Sequence, residues 1–211
     1  MIPIFIPYVN RPDLLIRAVD SIPVSNEWQA EVINNSGKEL PEGVFAGDCN
    51  PNTPLTFAAT QNWMIHLAVN AWNAPFYLFM HSDAEAGEGT VQKLVEMADA
   101  IAKTGYRWGA IFTAYDALAA YSVDAMRDIG GWDLNLPWYL GDCDCYRRLR
   151  IAGYPTLESG LLVKHTPSQT LNSDPYIARR VAFDTPKWRS YYELKWGGPN
   201  EHEKFATPFN K

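Results

Sequence analysis

Several common sites cannot be built from this chain of 211 residues. Cysteine is scarce. Cys49, Cys143 and Cys145 cannot make a disulfide framework. Cys143 and Cys145 also stand too close for a C-x2-C zinc pair. Reduced thiols fit best, with Cys145 expected in the core. There is no G-x-G-x-x-G or Walker-type loop, so phosphates must be held some other way, and a metal ion is the economical choice. No G-x-S-x-G elbow is present, which argues against an α/β-hydrolase site. No segment approaches the ~20 apolar residues of a membrane helix. The opening MIPIFIPYVNRPD has no basic stretch ahead of its apolar run, so no leader is expected and the cytoplasm is the expected location. Net positive charge is missing too, and −6 argues against broad nonspecific binding to nucleic acid.

What is present is an alternation of strand and helix patterns in a chain of one-domain length. Ile2 to Ile6 is an apolar strand. A helix is expected from Arg11 to Ser21, with Pro12 near its first position. Glu31 to Ile33 is the second strand, and residues 40–54 are loop-like. Phe57 to Ala71 reads as a helix, and its His66 as structural. Phe76 to Met80 is a buried strand. Thr90 to Lys103 is the clearest helix, with Thr90 as the expected cap and Gly105 at its end. Trp108 to Thr113, Ala119 to Val123 and Leu161 to His165 are further strands. This order implies a mixed, mostly parallel α/β sheet with helices on both faces.

Two acidic clusters carry the chemistry. His81-Ser82-Asp83 follows the buried strand, and the ends of such strands are where open α/β sheets build ligand sites. His81 and Asp83 share one side of an extended segment, and an imidazole with a carboxylate can hold Mn²⁺ or Mg²⁺ against a diphosphate. The second cluster is Gly141-Asp142-Cys143-Asp144, at the start of a helix that Gly153 closes. The positive end of a helix dipole favours an ionised carboxylate. Beside Trp and Tyr side chains, such a group suits a base that takes a proton from a sugar hydroxyl. A plain helix cap is the bland alternative for Asp142.

Taken in order, these motifs resemble a family 2-type glycosyltransferase with the GT-A fold. Ile4 to Pro12 resembles its first strand and P-x-x-N-R turn. Val32 to Gly37 is similar to its second strand and nucleoside loop. Phe57 to Met64 is similar to a helix start that carries an Asn, here Asn62. His81-Ser82-Asp83 falls at the D-x-D metal motif, Gly130-Gly131-Trp132-Asp133 at G-G-F-D, and Gly141 to Asp144 at E-D-x-D, followed by Arg148 to Tyr154. The resemblance covers residues 2–166. Two positions depart from it: His81 replaces the first metal Asp, and Gly141 replaces the Glu before the base.

The resemblance implies a single GT-A-like domain. Residues 1–85 form its nucleotide-sugar half, 86–170 its acceptor half, and 171–211 a C-terminal tail and possible lid. It implies metal-dependent, inverting transfer from a nucleotide sugar, with a UDP-sugar favoured. Asp142 is then the base, and Asp83, His81 and His165 the ligands of Mn²⁺ or Mg²⁺. Pro7, Asn10, Arg11, Asn34 and Asn35 are nucleoside candidates. Asn62, Ser82, Asp133 and Asp144 join the substrate site. Trp132, Trp138 and Tyr139 are acceptor-wall candidates. The tail from Tyr176 to Trp196 carries five basic and two acidic residues, with Trp188, Tyr191, Tyr192 and Trp196 among its aromatics, so Lys195 and Trp196 are expected over the active site. Plain packing of those aromatics is the equal alternative. An envelope glycan is the usual acceptor. The basic, aromatic tail keeps a modified DNA base as an alternative, and His81 keeps a non-catalytic nucleotide or sugar binder. A nucleotidyl or pyrophosphate-cleaving enzyme would want a basic Gly-rich loop, which is missing.

Overall fold

The apolar opening forms β1 (Ile2–Tyr8), a strand covered on both sides. Ile4, Phe5 and Ile6 are all fully buried, which marks an internal strand of a covered sheet. The computed structural model describes residues 1–44, 50–166 and 168–211. Cys49 and part of the loop 40–54 lie outside the described residues.

From β1 the chain runs through α1 (Pro12–Asp20), β2 (Trp28–Asn34), α2 (Phe57–Asn70), β3 (Phe76–Met80), β4 (Ala84–Ala86) and α3 (Thr90–Lys103). It continues through β5 (Ala110–Phe112), β6 (Leu118–Ser122), α4 (Val123–Asp128) and α5 (Gly141–Ile151). Then come β7 (Thr156–Glu158), β8 (Val163–His165), α6 (Gln169–Asn172) and α7 (Pro175–Trp196). The main sheet has six strands in the order β2-β1-β3-β6-β5-β7, and β4 pairs with β8 in a separate ribbon. β1–β2, β1–β3 and β5–β7 are parallel. β6 alone runs against its neighbours.

Residue parity along the strands divides the core. Ile4, Ile6, Phe76, Leu78 and Met80 face α1 and α3, in a cluster with Leu15, Ala18, Leu94 and Ala98. Phe5, Tyr77 and Phe79 face α2, α4 and α5, with Met64, Ala68, Met126 and Leu149. Each large aliphatic or aromatic side chain taken from water stabilises by about 1.5–3 kcal/mol. A shift of register by one residue would exchange the two faces, so apolar side chains on both sides tolerate only well-matched helices.

Two expectations need correction. Thr90 does not cap α3. Gly89 occupies the cap position with a left-handed φ of 69°, while the Thr90 hydroxyl donates to the Leu162 carbonyl at 2.9 Å. Glycine adopts that backbone without the steric penalty a Cβ brings. The segment after 171 is also more than a tail. It is dominated by a 22-residue helix, α7, which the Asp174 carboxylate caps by accepting from the Tyr176 and Ile177 amides. Pro186 lies inside it, and a mid-helix proline removes one backbone bond and argues against a helix in the sequence. Burial overrides that signal: Trp188, Tyr192 and Trp196 pack with Leu136 and Val181 in a third cluster.

Candidate active site

The carboxyl ends of β1, β2 and β3 open onto a cavity of about 340 Å³. That volume is within the range of small-molecule sites. Pro7, Asn35, His81, Ser82 and Asp83 line it from the strand ends, and Phe57 and Thr60 from α2. Trp132, Trp138, Tyr139 and Asp142 line it from the segment leading into α5. Further wall comes from Tyr115 and Asp116 in the turn between β5 and β6, from His165, from Ser168 and Thr170 around α6, and from Ile177 and Val181 on α7.

His81, Asp83 and His165 meet there, with one ligand atom of each within 4.8 Å of the others. β3 delivers the first two. The β4–β8 ribbon delivers the third by pairing Ala84 with His165. His165 Nε2 lies 3.2 Å from Asp83 Oδ1, and the two imidazoles stack at 5.2 Å. Burial pushes the His81 imidazole down to about 4, so at neutral pH its lone pair is free to ligate. Burial alone would raise Asp83, but the hydrogen bond from His165 and the nearby imidazoles outweigh it and hold the carboxylate below its usual value. His165 Nδ1 is buried without a hydrogen-bond partner among the described residues. Two imidazoles and a carboxylate suit a divalent ion that accepts both nitrogen and oxygen, as Mn²⁺ does, better than the all-oxygen shell that Mg²⁺ prefers.

Asp142 stands in the first turn of α5, which begins after Leu140 in a left-handed conformation with φ 64°. Trp132 is fixed from behind. Asn62 accepts from the Trp132 amide at 2.7 Å and donates to its carbonyl at 2.9 Å. The turn needs glycine at 131, because a Cβ there would run into Asn62 Oδ1. Gly141 is crowded as well, with a Cβ falling 3.1 Å from the Leu136 carbonyl. Cys143, next to Asp142, is pushed up to about 12 by burial, with the Asp142 charge adding to it. Burial raises Cys145 further still. Neither thiol is an available nucleophile.

Other candidates are engaged by neighbouring protein groups. Arg11 is turned onto Asp13 through two hydrogen bonds of 2.8 and 2.6 Å. Asn34 closes the turn after β2 by bonding Ser36 and the Lys38 carbonyl. Asn10 donates to the Thr170 carbonyl at 3.0 Å and ties β1 to α6. Asn35 borders the cavity, but its amide is engaged by Thr60 and the Leu55 amide. Asp144 is fully buried and accepts from Arg148 at 2.7 Å and from the Trp196 indole at 2.9 Å. Lys195 Nζ bridges Asp144 and Asp133 at 2.7 Å each. Burial would raise Asp133, but Lys195, the Asn135 amide and Tyr191 hold it at about 2.

The tail is therefore reversed from expectation. Lys195 and Trp196 are buried anchors, and the amino-terminal part of α7 borders the cavity. The reason is electrostatic: a buried lysine needs carboxylates, and Asp133 and Asp144 stand behind the cavity wall rather than in it. Arg180 and Lys187 spend their charge on Asp184. Sequence reasoning also missed Asp116, in the turn between β5 and β6, whose carboxyl faces the cavity. Its only signal was an acid next to a strand end.

No family model matches the chain, and no curated protein matches it. Solved structures do. TarS from S. aureus aligns over 87% of this chain and 39% of its own length, at 10% identity and a TM-score of 0.54. TarS 1–349 in complex with UDP aligns over 93% of this chain and 72% of that one, at 11% identity and a TM-score of 0.52. The catalytic domain of Drosophila β1,4-galactosyltransferase 7, in complex with xylobiose, aligns over 76% and 65%, at 11% identity and 0.47. The chain thus spans well under half of TarS. Likeness at this identity defines a fold, and that fold is the GT-A fold of glycosyltransferases. Among the described residues, no helix is long and apolar enough to cross a membrane.

Proposed function

We propose that the chain is a family 2-type glycosyltransferase that moves a sugar from a UDP-sugar to a glycan hydroxyl. One observation carries this reading: in a GT-A fold, the His81–Asp83–His165 set and the Asp142 carboxylate line the same cavity. One group answers the charge of a leaving diphosphate, and the other answers the proton of an acceptor.

Pro7, Asn35 and Ser82 border the donor side, at the ends of β1, β2 and β3. A divalent ion held by His81, Asp83 and His165, with Mn²⁺ the better match, would supply Lewis-acid neutralisation of the leaving diphosphate. Asp142 takes the proton of the acceptor hydroxyl as its oxygen bonds to the anomeric carbon. The bond from that carbon to the diphosphate oxygen breaks, and the electron pair leaves with the diphosphate. A single displacement of this kind inverts the anomeric carbon. Trp138 and Tyr139 flank the acceptor side and offer faces on which a sugar ring can stack. Ile177 and Val181 close the cavity against water, which would otherwise hydrolyse the donor.

Calorimetry with UDP tests the reading. Mn²⁺ is expected to tighten UDP binding to the wild type and to leave Asp83→Ala unaffected. Equal, metal-independent binding by both proteins would overturn the metal role. No UDP binding by the wild type under either condition would overturn the donor.

A further inference from the structure

Asp116 is a cavity group that this transfer chemistry leaves unused. It sits in the β5–β6 turn, where Tyr115 and Asp116 both adopt left-handed backbone, with φ of 58° and 50°. Successive non-glycine residues keep that conformation only where the surroundings over-determine it. Here the Thr113 hydroxyl clamps the turn, donating to the Leu118 carbonyl and accepting from its amide, both at 3.0 Å. The Ala117 carbonyl accepts from the His81 amide at 3.0 Å. The turn is thereby locked to the metal-binding strand end, with the Asp116 carboxyl and Asp142 facing one cavity. Tyr146 of α5 neighbours Asp116 and works to lower its carboxyl's value, and its hydroxyl is 3.1 Å from that of Tyr121.

A second, independent feature points to a ligand. The Trp132 indole Nε1–H is buried beside the same cavity and has no hydrogen-bond partner among the described residues. Buried N–H groups are normally paired, so this one is a donor in want of an acceptor. Trp132 is rigidly placed by Asn62 and by the edge of Phe57 at 5.5 Å.

We propose that Asp116, with Asp142 and the Trp132 N–H, reads two neighbouring hydroxyls of an uncharged acceptor sugar, Asp142 taking the reacting hydroxyl and Asp116 the one beside it. The proposal rests on the glycosyltransferase reading and names its acceptor class. Asp116 acts as a positioning and specificity residue. Burial, with the Asp142 charge adding and the Tyr146 hydrogen bond opposing, pushes it up to about 7, so near neutral pH it can donate to a hydroxyl oxygen as well as accept from one. The Asp142 charge, with the partly ionised Asp116 in the same cavity, disfavours a phosphate there. Arg148 of α5 and Lys195 of α7 are committed to Asp144. The pocket therefore selects a neutral polyol over a phosphate-bearing acceptor such as a nucleic acid.

The test uses the full chain saturated with UDP and Mn²⁺. Methyl glycosides of glucose, galactose and N-acetylglucosamine, their 6-phosphates and a short single-stranded oligonucleotide are titrated by saturation-transfer NMR. At least one neutral glycoside is expected to bind, and its phosphate at least tenfold more weakly. Asp116→Ala should weaken the glycoside about tenfold while UDP affinity stays unchanged, and Asp116→Asn should restore most of the loss. Trp132→Phe keeps an aromatic ring but removes the donor together with part of the indole, and should weaken it severalfold. Unaltered glycoside affinity in Asp116→Ala or Trp132→Phe overturns the proposal. So does a preference for the phosphorylated probes, or failure of UDP-loaded wild type to bind any neutral glycoside. In each of those cases UDP binding survives, and with it the glycosyltransferase reading. Loss of UDP binding by the wild type removes both.

Discussion

Asp142 and Asp144 share the first turn of α5 and differ in almost everything else. Residues two apart on a helix point about 200° away from each other. Asp142 faces the cavity, while Asp144 is wholly buried and held by Arg148, Lys195 and Trp196. The same side chain therefore stands as the proposed reagent on one face and as anchor on the other. The anchor side carries the α7 helix, which in turn walls the reagent side.

Breaking the anchor should give the largest effect. Asp144→Ala leaves Lys195 and Arg148 buried without their shared carboxylate, and is expected to destabilise the fold by about 3–5 kcal/mol. Chemical denaturation would read this, and hydrogen exchange should show α7 loosened first. A loss below ~1 kcal/mol would mean that Asp133 alone suffices for Lys195. Breaking the reagent should leave stability within about 0.5 kcal/mol. Asp142→Asn is instead expected to lower transfer ~10²-fold or more with UDP affinity unchanged, as followed by product formation. Near-normal transfer would remove Asp142 from the chemistry.

Asp116 sharpens the contrast through pH. Its folded value lies near 7, above the ordinary 3.8. Between those values the folded state holds a proton that the unfolded state has lost, so wild-type stability falls as pH rises through the window and levels off above it. Asp116→Asn removes that slope. It should therefore gain on the wild type as pH rises, by about 1–3 kcal/mol at pH 8. Melting curves at pH 4.5 and pH 8 decide the matter, and parallel profiles for the two proteins would refute it. The smallest effect concerns the wall. Ile177→Ala should cost about 1 kcal/mol or less, yet raise donor hydrolysis relative to transfer severalfold. An unchanged ratio of the two products would show that this part of α7 does not exclude water.

Elements whose pattern is local were legible in the sequence. Thr90 to Lys103 and Phe76 to Met80 are found with the expected bounds, because a helical stripe and a short aromatic run each fit one structure best. The His81, Asp83 and Asp142 positions were legible for another reason: each stands at a strand end or helix start. β8 falls within the expected strand Leu161 to His165, but β4 and β7 went unread, since strands of three residues carry almost no pattern. α7 was hidden by Pro186 and by a mixture of charge and aromatics that only its buried face explains. The roles of Asp144 and Lys195 were beyond reach because they depend on a contact across 51 positions, and spacing within α5 says nothing about which acid a distant lysine will choose. Asp116 escaped because left-handed backbone at an aspartate leaves little trace in composition.

The two-stranded ribbon of β4 and β8 has a consequence for how the protein is made. It brings His165 to Asp83, and a second link joins Asn10 to Thr170, 160 residues away. Contacts of such long range form late, because the chain must close a large loop before the contact rewards it. A nascent or clipped chain that ends before this point would carry His81 and Asp83 without their third partner and without the far wall of the cavity. Such fragments are expected to be inert toward a nucleotide sugar rather than wasteful of it, so the proposed activity would switch on only with completion of the fold.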